Sequence, residues 1–196
     1  MDGFQRRREK KKINILEAAL ALFTEYGVQK ISIAEIAKKA AVSQVTIYNY
    51  FESKHNLTHE VFKYSVNQAF EEFEQILNSD VPFPEKIKQL IFMKKEAAKH
   101  MHQDFYEYLM KEYTSSSNYL QELYVKEALP RFVNLFNEGK EQGYVDPNLS
   151  NEAILFYMQA INEYIQQKDV YQKVLPLTED IMNILFYGII GKEKTE

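Results

Sequence analysis

The chain has no cysteine. That excludes disulfide scaffolds, thiolate zinc sites and cysteine nucleophiles. It also means that any sensing performed here is not thiol redox chemistry. Glycine and proline are scarce, 6 and 5 among 196 residues, too few for a β-rich or loop-rich chain. No run of about 18 apolar residues free of charge occurs, so no membrane-spanning helix and no membrane partner is expected. Met1-Asp2-Gly3-Phe4-Gln5 leads into a basic run, not an apolar one, so no secretory signal is read and a cytoplasmic location is expected. There is no Gly-rich phosphate loop, no nucleophile elbow and no distinctively placed carboxylate pair, so the chain is not expected to be an enzyme.

What is present is an ordinary folded composition, 45% hydrophobic and 27% charged. The net charge of -4 would argue weakly against a nucleic-acid partner, but it is unevenly spread. Residues 1–63 hold 11 Lys/Arg against 7 Asp/Glu, a balance of +4, and residues 64–196 hold 13 against 21, a balance of -8. Such asymmetry marks a candidate nucleic-acid-binding end. Its sharpest piece is Arg6-Arg7-Arg8-Glu9-Lys10-Lys11-Lys12, which by itself is equally a solvated tail.

Three helices are expected next. The first runs from about Glu9 to Tyr26, with Ile13, Leu16, Leu20 and Phe23 on one face. Gly27 stands where a left-handed cap is needed. Ser32-Ile33-Ala34-Glu35 fits a capping box, starting a short helix that turns Ile36, Ala37 and Ala40 inward. Ala41-Val42 forms a turn with Val42 as its buried plug. Ser43 caps a third helix over residues 44–51. Ile47, Tyr50 and Phe51 of that helix belong to the core, and Gln44, Val45, Thr46, Tyr48 and Asn49 face out. Two short helices, a tight turn and a supporting helix describe a helix-turn-helix.

That geometry can read DNA. A helix fits the major groove, where every base pair has its own donor and acceptor pattern. Gln44 can pair with an adenine edge, and Val45 and the Thr46 methyl can touch a thymine methyl. Thr46, Tyr48 and Asn49 can bond phosphates or bases. The helix starts at Ser32 and Ser43 can hold phosphates, and Lys54 is placed to clamp another. The plain alternative is that these side chains coat a small helical subdomain.

From Ile13 to about Leu57 the chain resembles the DNA-binding domain of the TetR family of transcriptional regulators. The resemblance rests on Ile15-Leu16-Glu17-Ala18-Ala19, Leu22-Phe23 and Tyr26-Gly27, and on residues 32–40. Its most specific part is Val42-Ser43 followed by Thr46-Ile47-Tyr48-Asn49-Tyr50-Phe51 and Ser53-Lys54. Two positions depart from the usual pattern. Ala41 and Val45 stand where the family often has glycine, which weakens any reading of the operator sequence.

The remainder reads as helices: Lys54 to about Ser79, Pro84–Met101, Asp104–Tyr113, Tyr119–Gln142 kinked at Pro130, Ser150–Gln167, and a last helix capped by Thr178 and running to Ile190. Residues 115–118 read as a loop. The fold class expected is all-α, with a DNA-binding domain and basic N-terminal arm over 1–53 and a helical effector-binding and dimerisation domain over 54–196. The resemblance implies a homodimeric repressor of pseudo-palindromic operator DNA, released by a small-molecule effector. It also implies an effector pocket among the middle helices. Phe92, Met93, Phe105, Tyr108, Leu109, Phe132, Phe136, Met158 and Asn162 are candidates for that pocket, or else core. The effector would be apolar or amphipathic. A dimeric bundle of the last two helices would use Ile154, Tyr157, Ile161, Ile165, Ile181, Ile184, Leu185 and Gly188. No metal or cofactor is expected; His55 with His59 and His100 with His102 lack a third ligand. The alternative function is a helical small-molecule- or partner-binding protein with a non-reading helix-turn-helix.

Overall fold

The structure is a computed structural model that describes residues 3–114, 118–165 and 170–188. Among them every regular element is a helix: α1 Gly3–Tyr26, α2 Ile33–Lys39, α3 Gln44–Phe51, α4 Lys54–Leu77, α5 Phe83–His100, α6 Gln103–Thr114, α7 Asn118–Leu123, α8 Leu129–Glu141, α9 Asn151–Ile165, α10 Tyr171–Val174 and α11 Thr178–Tyr187. No described helix is long and apolar enough to cross a membrane. The chain divides into two compact units, Met1–Glu72 with His100–Lys111 and Phe73–Lys99 with Glu112–Glu196. The division falls inside α4, not at its start, and α6 begins in the first unit.

The inward face of α1 is shifted from the expected one: Ile13 is exposed and Leu20 half-buried, while Ile15, Leu16, Ala18, Ala19 and Phe23 are buried. Ile15, Ala19, Phe23, Ile36, Ile47, Leu57 and Val61 are buried in one cluster that also takes in Phe105 of α6. Each large apolar side chain withdrawn from water contributes about 1.5–3 kcal/mol. The basic run is not a loose tail. Its Arg, Lys, Gln and Glu residues are good helix formers, and α1 begins at Gly3, two turns before the expected Glu9. Lys12 Nζ ties this end to α4 through Glu60 Oε2 at 3.0 Å.

α1 ends at Gly27, whose φ of 85° is left-handed and whose amide donates to the Phe23 carbonyl at 2.9 Å. The second unit buries Phe73, Phe83, Ile87, Leu90, Leu135, Phe136, Val145, Ile154, Leu185 and Phe186. Lys86 is buried there too. Its ammonium donates to the Leu77 carbonyl at 2.8 Å and to both Glu138 carboxylate oxygens at 3.0 and 2.8 Å. All three ammonium protons thus have acceptors, as a buried cation requires.

Two expectations about this unit are corrected. The kink expected at Pro130 is a π-helical turn over Tyr124–Ala128, which places Pro130 in the first turn of α8. Thr178 is not the cap of α11; Leu177 holds that position and supplies no side-chain bond. A 3-10 turn over Leu175–Leu177 leads straight into α11, so its first amides are approached by backbone. Ser150, by contrast, does cap α9, its hydroxyl accepting from the Ala153 amide at 3.1 Å. The loop read at 115–118 falls partly, and the helix ends read at Gln167 and Ile190 wholly, outside the described residues.

Candidate nucleic-acid interface

α2 is held by a reciprocal pair of bonds. The Ser32 amide donates to Glu35 Oε2 at 2.7 Å, and the Glu35 amide donates to Ser32 Oγ at 3.3 Å. The Ser32 hydroxyl also donates to the Glu35 carboxylate, and these bonds from its side chain and backbone hold the Glu35 carboxyl below its ordinary range. Ser32, read as a phosphate contact, therefore has its amide and hydroxyl committed to Glu35. Any phosphate at this helix start meets the neighbouring carboxylate as well.

The turn that follows is sharp. Ala41 takes φ 53°, a conformation costly for a residue with a Cβ, and Val42 is half-buried against the core rather than fully plugged. Ser43 then caps α3, its Oγ accepting from the Thr46 amide at 3.0 Å. At the far end Glu52, with φ 64°, closes the helix through its amide to the Tyr48 carbonyl at 2.8 Å. α3 is thus fixed at its start by the Ser43 cap and at its close by left-handed backbone at Glu52. Ile47 and Phe51 anchor it from below.

Gln44, Val45, Tyr48 and Asn49 are exposed together on its outer face, Val45 by 66%. Thr46 is half-buried, with its Oγ1 2.8 Å from Ser43 Oγ. So the face open to a groove is an amide, an isopropyl, a phenol and a second amide, the chemistry that reads base edges. The Lys54 ammonium is 2.8 Å from the Val28 carbonyl and 3.5 Å from that of Gln29. It secures the loop after α1, and a phosphate would compete with those carbonyls for it.

Comparison with known proteins agrees with this geometry. Residues 15–61 match the family described as bacterial regulatory proteins, tetR family. Over those residues, about a quarter of its length, the chain is similar to the TetR family. The HTH-type transcriptional repressor KstR2 of Mycobacterium tuberculosis is 25% identical over 144 residues, 71% of this chain and 72% of that one. The solved structure of the ketosteroid regulator KstR2 covers 92% of this chain and 95% of its own, with a TM-score of 0.55 at 20% identity. FadR from Bacillus subtilis, solved in complex with stearoyl-CoA, covers 90% and 98% with a TM-score of 0.57 at 22% identity. These two structures carry the fold alone.

The residues expected to line an effector pocket are distributed over both units. Phe105 is 1% exposed in the core of the first unit, its ring 6.3 Å from that of Phe23. Tyr108 and Leu109 pack on the same cluster. Phe132 lies 5.0 Å from Phe73 and Phe136 lies 6.5 Å from Phe83, both in the second unit. Phe92 is exposed, and Met93 and Met158 are half-buried. The Asn162 side chain lies outside the described residues. A polar cleft of about 480 Å³ in the second unit is lined by residues 77–82 with Lys86, Glu138 and Gln142, none of them expected. The sequence missed it because its lining is a loop and three polar side chains that periodicity does not mark.

The expected dimer residues divide as well. Ile154 and Leu185 are buried within the second unit and offer no outer surface. Ile161 and Ile181 are half-buried, Tyr157, Ile184 and Gly188 are exposed, and the Ile165 side chain lies outside the described residues. The apolar groups presented outward on these helices are Phe156 (76% exposed), Tyr157 and Tyr164 on α9 and Ile184 (65%) and Tyr187 on α11. The stripe read from the sequence is thus split, with Ile154 and Leu185 inward and Tyr157, Ile184 and Gly188 outward. His59 stacks on Phe62 at 6.3 Å, and no cluster of three potential metal ligands occurs among the described residues.

Proposed function

We propose that this chain is a TetR-family, ligand-responsive transcriptional repressor that binds a pseudo-palindromic operator as a homodimer and leaves it when an amphipathic small molecule binds. The observation that carries the reading is the outer face of α3. Gln44, Val45, Tyr48 and Asn49 stand exposed on a two-turn helix whose ends are fixed at Ser43 and Glu52. So short a helix reads too few base pairs for selectivity. A second copy about 34 Å away, one turn along the duplex, corrects this. The exposed Phe156, Tyr157, Ile184 and Tyr187 support self-association through α9 and α11.

An amphipathic effector is supported by the relatives. One is named a ketosteroid transcriptional regulator, and another was solved with stearoyl-CoA, a long apolar chain joined to a large, phosphorylated polar end. For release, the effector needs only to bind better to a conformer whose α3 helices are wrongly spaced. α6 is the element suited to report it. It starts beside α1, where the His102 amide donates to the Thr24 carbonyl at 2.8 Å and the Gln29 amide to Asp104 Oδ2 at 2.9 Å, and it ends in the second unit.

Selection from random duplexes at moderate salt tests the reading. Enrichment of an inverted repeat is expected, with Gln44→Ala and Tyr48→Ala each weakening binding to it about tenfold or more, the value of a lost base or phosphate contact. Failure to enrich any site overturns it.

A further inference from the structure

We infer that the N-terminal extension of α1 is a preformed phosphate track that holds the DNA backbone beside the base pairs read by α3. The inference rests on the DNA-binding reading and extends it to residues outside the helix-turn-helix. Between Gly3 and Asn14 the helix carries Arg6, Arg7, Arg8, Lys10, Lys11 and Lys12 against Glu9 alone. Phe4, Arg7, Arg8, Lys11 and Asn14 recur at helical spacing on one face, and that face forms a wall of a groove of about 1070 Å³. The opposite wall is the turn Ala40-Ala41-Val42 with Asn49 and Tyr50 of α3. The groove therefore places four cations, Arg7, Arg8, Lys10 and Lys11, across from the recognition helix.

The track is held in place rather than free to swing. The Tyr50 hydroxyl donates to the Arg8 carbonyl at 3.2 Å, and the Arg8 guanidinium lies over the Tyr50 ring at 5.8 Å from its centre. Lys12 pairs with Glu60, so it is spent on structure. Arg7, Lys10 and Lys11 are exposed, and among the described residues none of them has an ion-pair partner. The one carboxylate on the groove, Glu17, accepts a bond from the Tyr64 hydroxyl at 3.2 Å. Exposed, unneutralised cations at fixed positions on a helix suit an evenly spaced row of anions. A duplex backbone is such a row, and α3 would bring it within reach.

The test is the salt dependence of binding by the full chain to the duplex it selects. Each phosphate neutralised contributes about 0.9 to the slope of log K against log salt, which at 0.15 M salt is about fivefold in affinity. Arg7→Gln/Arg8→Gln/Lys11→Gln is expected to weaken binding roughly a hundredfold per protomer and to flatten the slope by about 2.7 per protomer. Its selected sequence should be unchanged, because phosphate contacts carry no base identity. The charge-keeping Arg7→Lys/Arg8→Lys variant should retain the slope, which separates charge from any loss of fold. Lys88→Gln/Lys126→Gln, exposed cations on the second unit, should leave it unchanged. A slope equal to wild type in the triple variant overturns the proposal while leaving operator recognition by α3 intact. If the wild-type chain enriches no duplex at all, the underlying reading fails and the track with it.

Discussion

Gly27→Ala addresses the joint between α1 and α6. The glycine has φ 85°, and a Cβ built on it would lie 2.8 Å from Asp104 Oδ2, 2.9 Å from His102 Nδ1 and 3.0 Å from Asp104 Cβ. The left-handed backbone costs an L-residue about 1–2 kcal/mol. The steric part is separate. Asp104 must move away, and in moving it releases the Gln29 amide it accepts at 2.9 Å, a bond with a net value of about 0.5–1.5 kcal/mol. Restricting the unfolded chain returns about 0.4–1 kcal/mol. The balance is a destabilisation of about 1–3 kcal/mol for the unit that contains α1 and α6. Urea unfolding of the full chain, with Asp104→Ala alone and with both substitutions, measures it as a double-mutant cycle. With Asp104 shortened, the Oδ2 contact and the Gln29 bond drop out while those to His102 Nδ1 and the residue-104 Cβ stay, so Gly27→Ala should cost about 0.5–1.5 kcal/mol less. An equal penalty in both backgrounds refutes the steric account, and a neutral Gly27→Ala refutes the backbone account too.

Ala41→Gly should stabilise the protein by about 0.5–1 kcal/mol, the relief of the left-handed alanine less the extra freedom of unfolded glycine; thermal unfolding would read this as a rise of a few degrees. Lys86→Met should destabilise by about 2 kcal/mol, because the Leu77 carbonyl loses the ammonium and the half-buried Glu138 carboxylate loses its ion pair and keeps only the Gln142 amide as donor. At Glu60, partial burial raises the pKa, but the bonds from Lys12 and Lys63 outweigh it and hold the pKa below the ordinary value. A depressed carboxylate stabilises above its unfolded pKa and loses that contribution as pH falls through the folded one. Stability of wild type should therefore decline below about pH 4.5 more steeply than that of Glu60→Gln, as followed by denaturant titration. Ile184→Asp should convert a dimer to a monomer in sedimentation, with helix content kept, since the side chain is exposed in the single chain.

The reading unit was legible because its signals are local. Ser32 with Glu35, Ser43 with Thr46, and Gly27 after Tyr26 each specify a helix end within four residues, and each forms the bond its spacing implies. The second unit was less legible because which face of α9 or α11 is inward depends on elements far away in sequence. Ile154 and Phe156 are equally apolar by composition, yet one is buried and the other exposed. Phe105 was ambiguous for the same reason: nothing nearby in sequence says that it pairs with Phe23. Lys86 carried no periodic signal either, since a lysine among apolar neighbours reads as a surface residue until its acceptors are known. The helical state of the basic run was missed: its charge density pointed to solvation and a helix start near Glu9, although Arg, Lys, Gln and Glu are good helix formers.

The π turn at Tyr124–Ala128 bears on how this chain tolerates change in length. The Leu129 amide bonds to the Tyr124 carbonyl, five residues back, so the turn holds one residue more than an α-helix of the same rise. Deleting a single residue there would tighten it to α-helical winding while leaving the faces of α8 pointed as they are, with Phe136 and Leu135 still inward. The same deletion would bring Pro130 into the interior of one continuous helix, where its ring collides with the carbonyl four residues earlier. The supernumerary residue and the proline are thus a matched pair: an indel that removes the first is tolerated only with a substitution of the second.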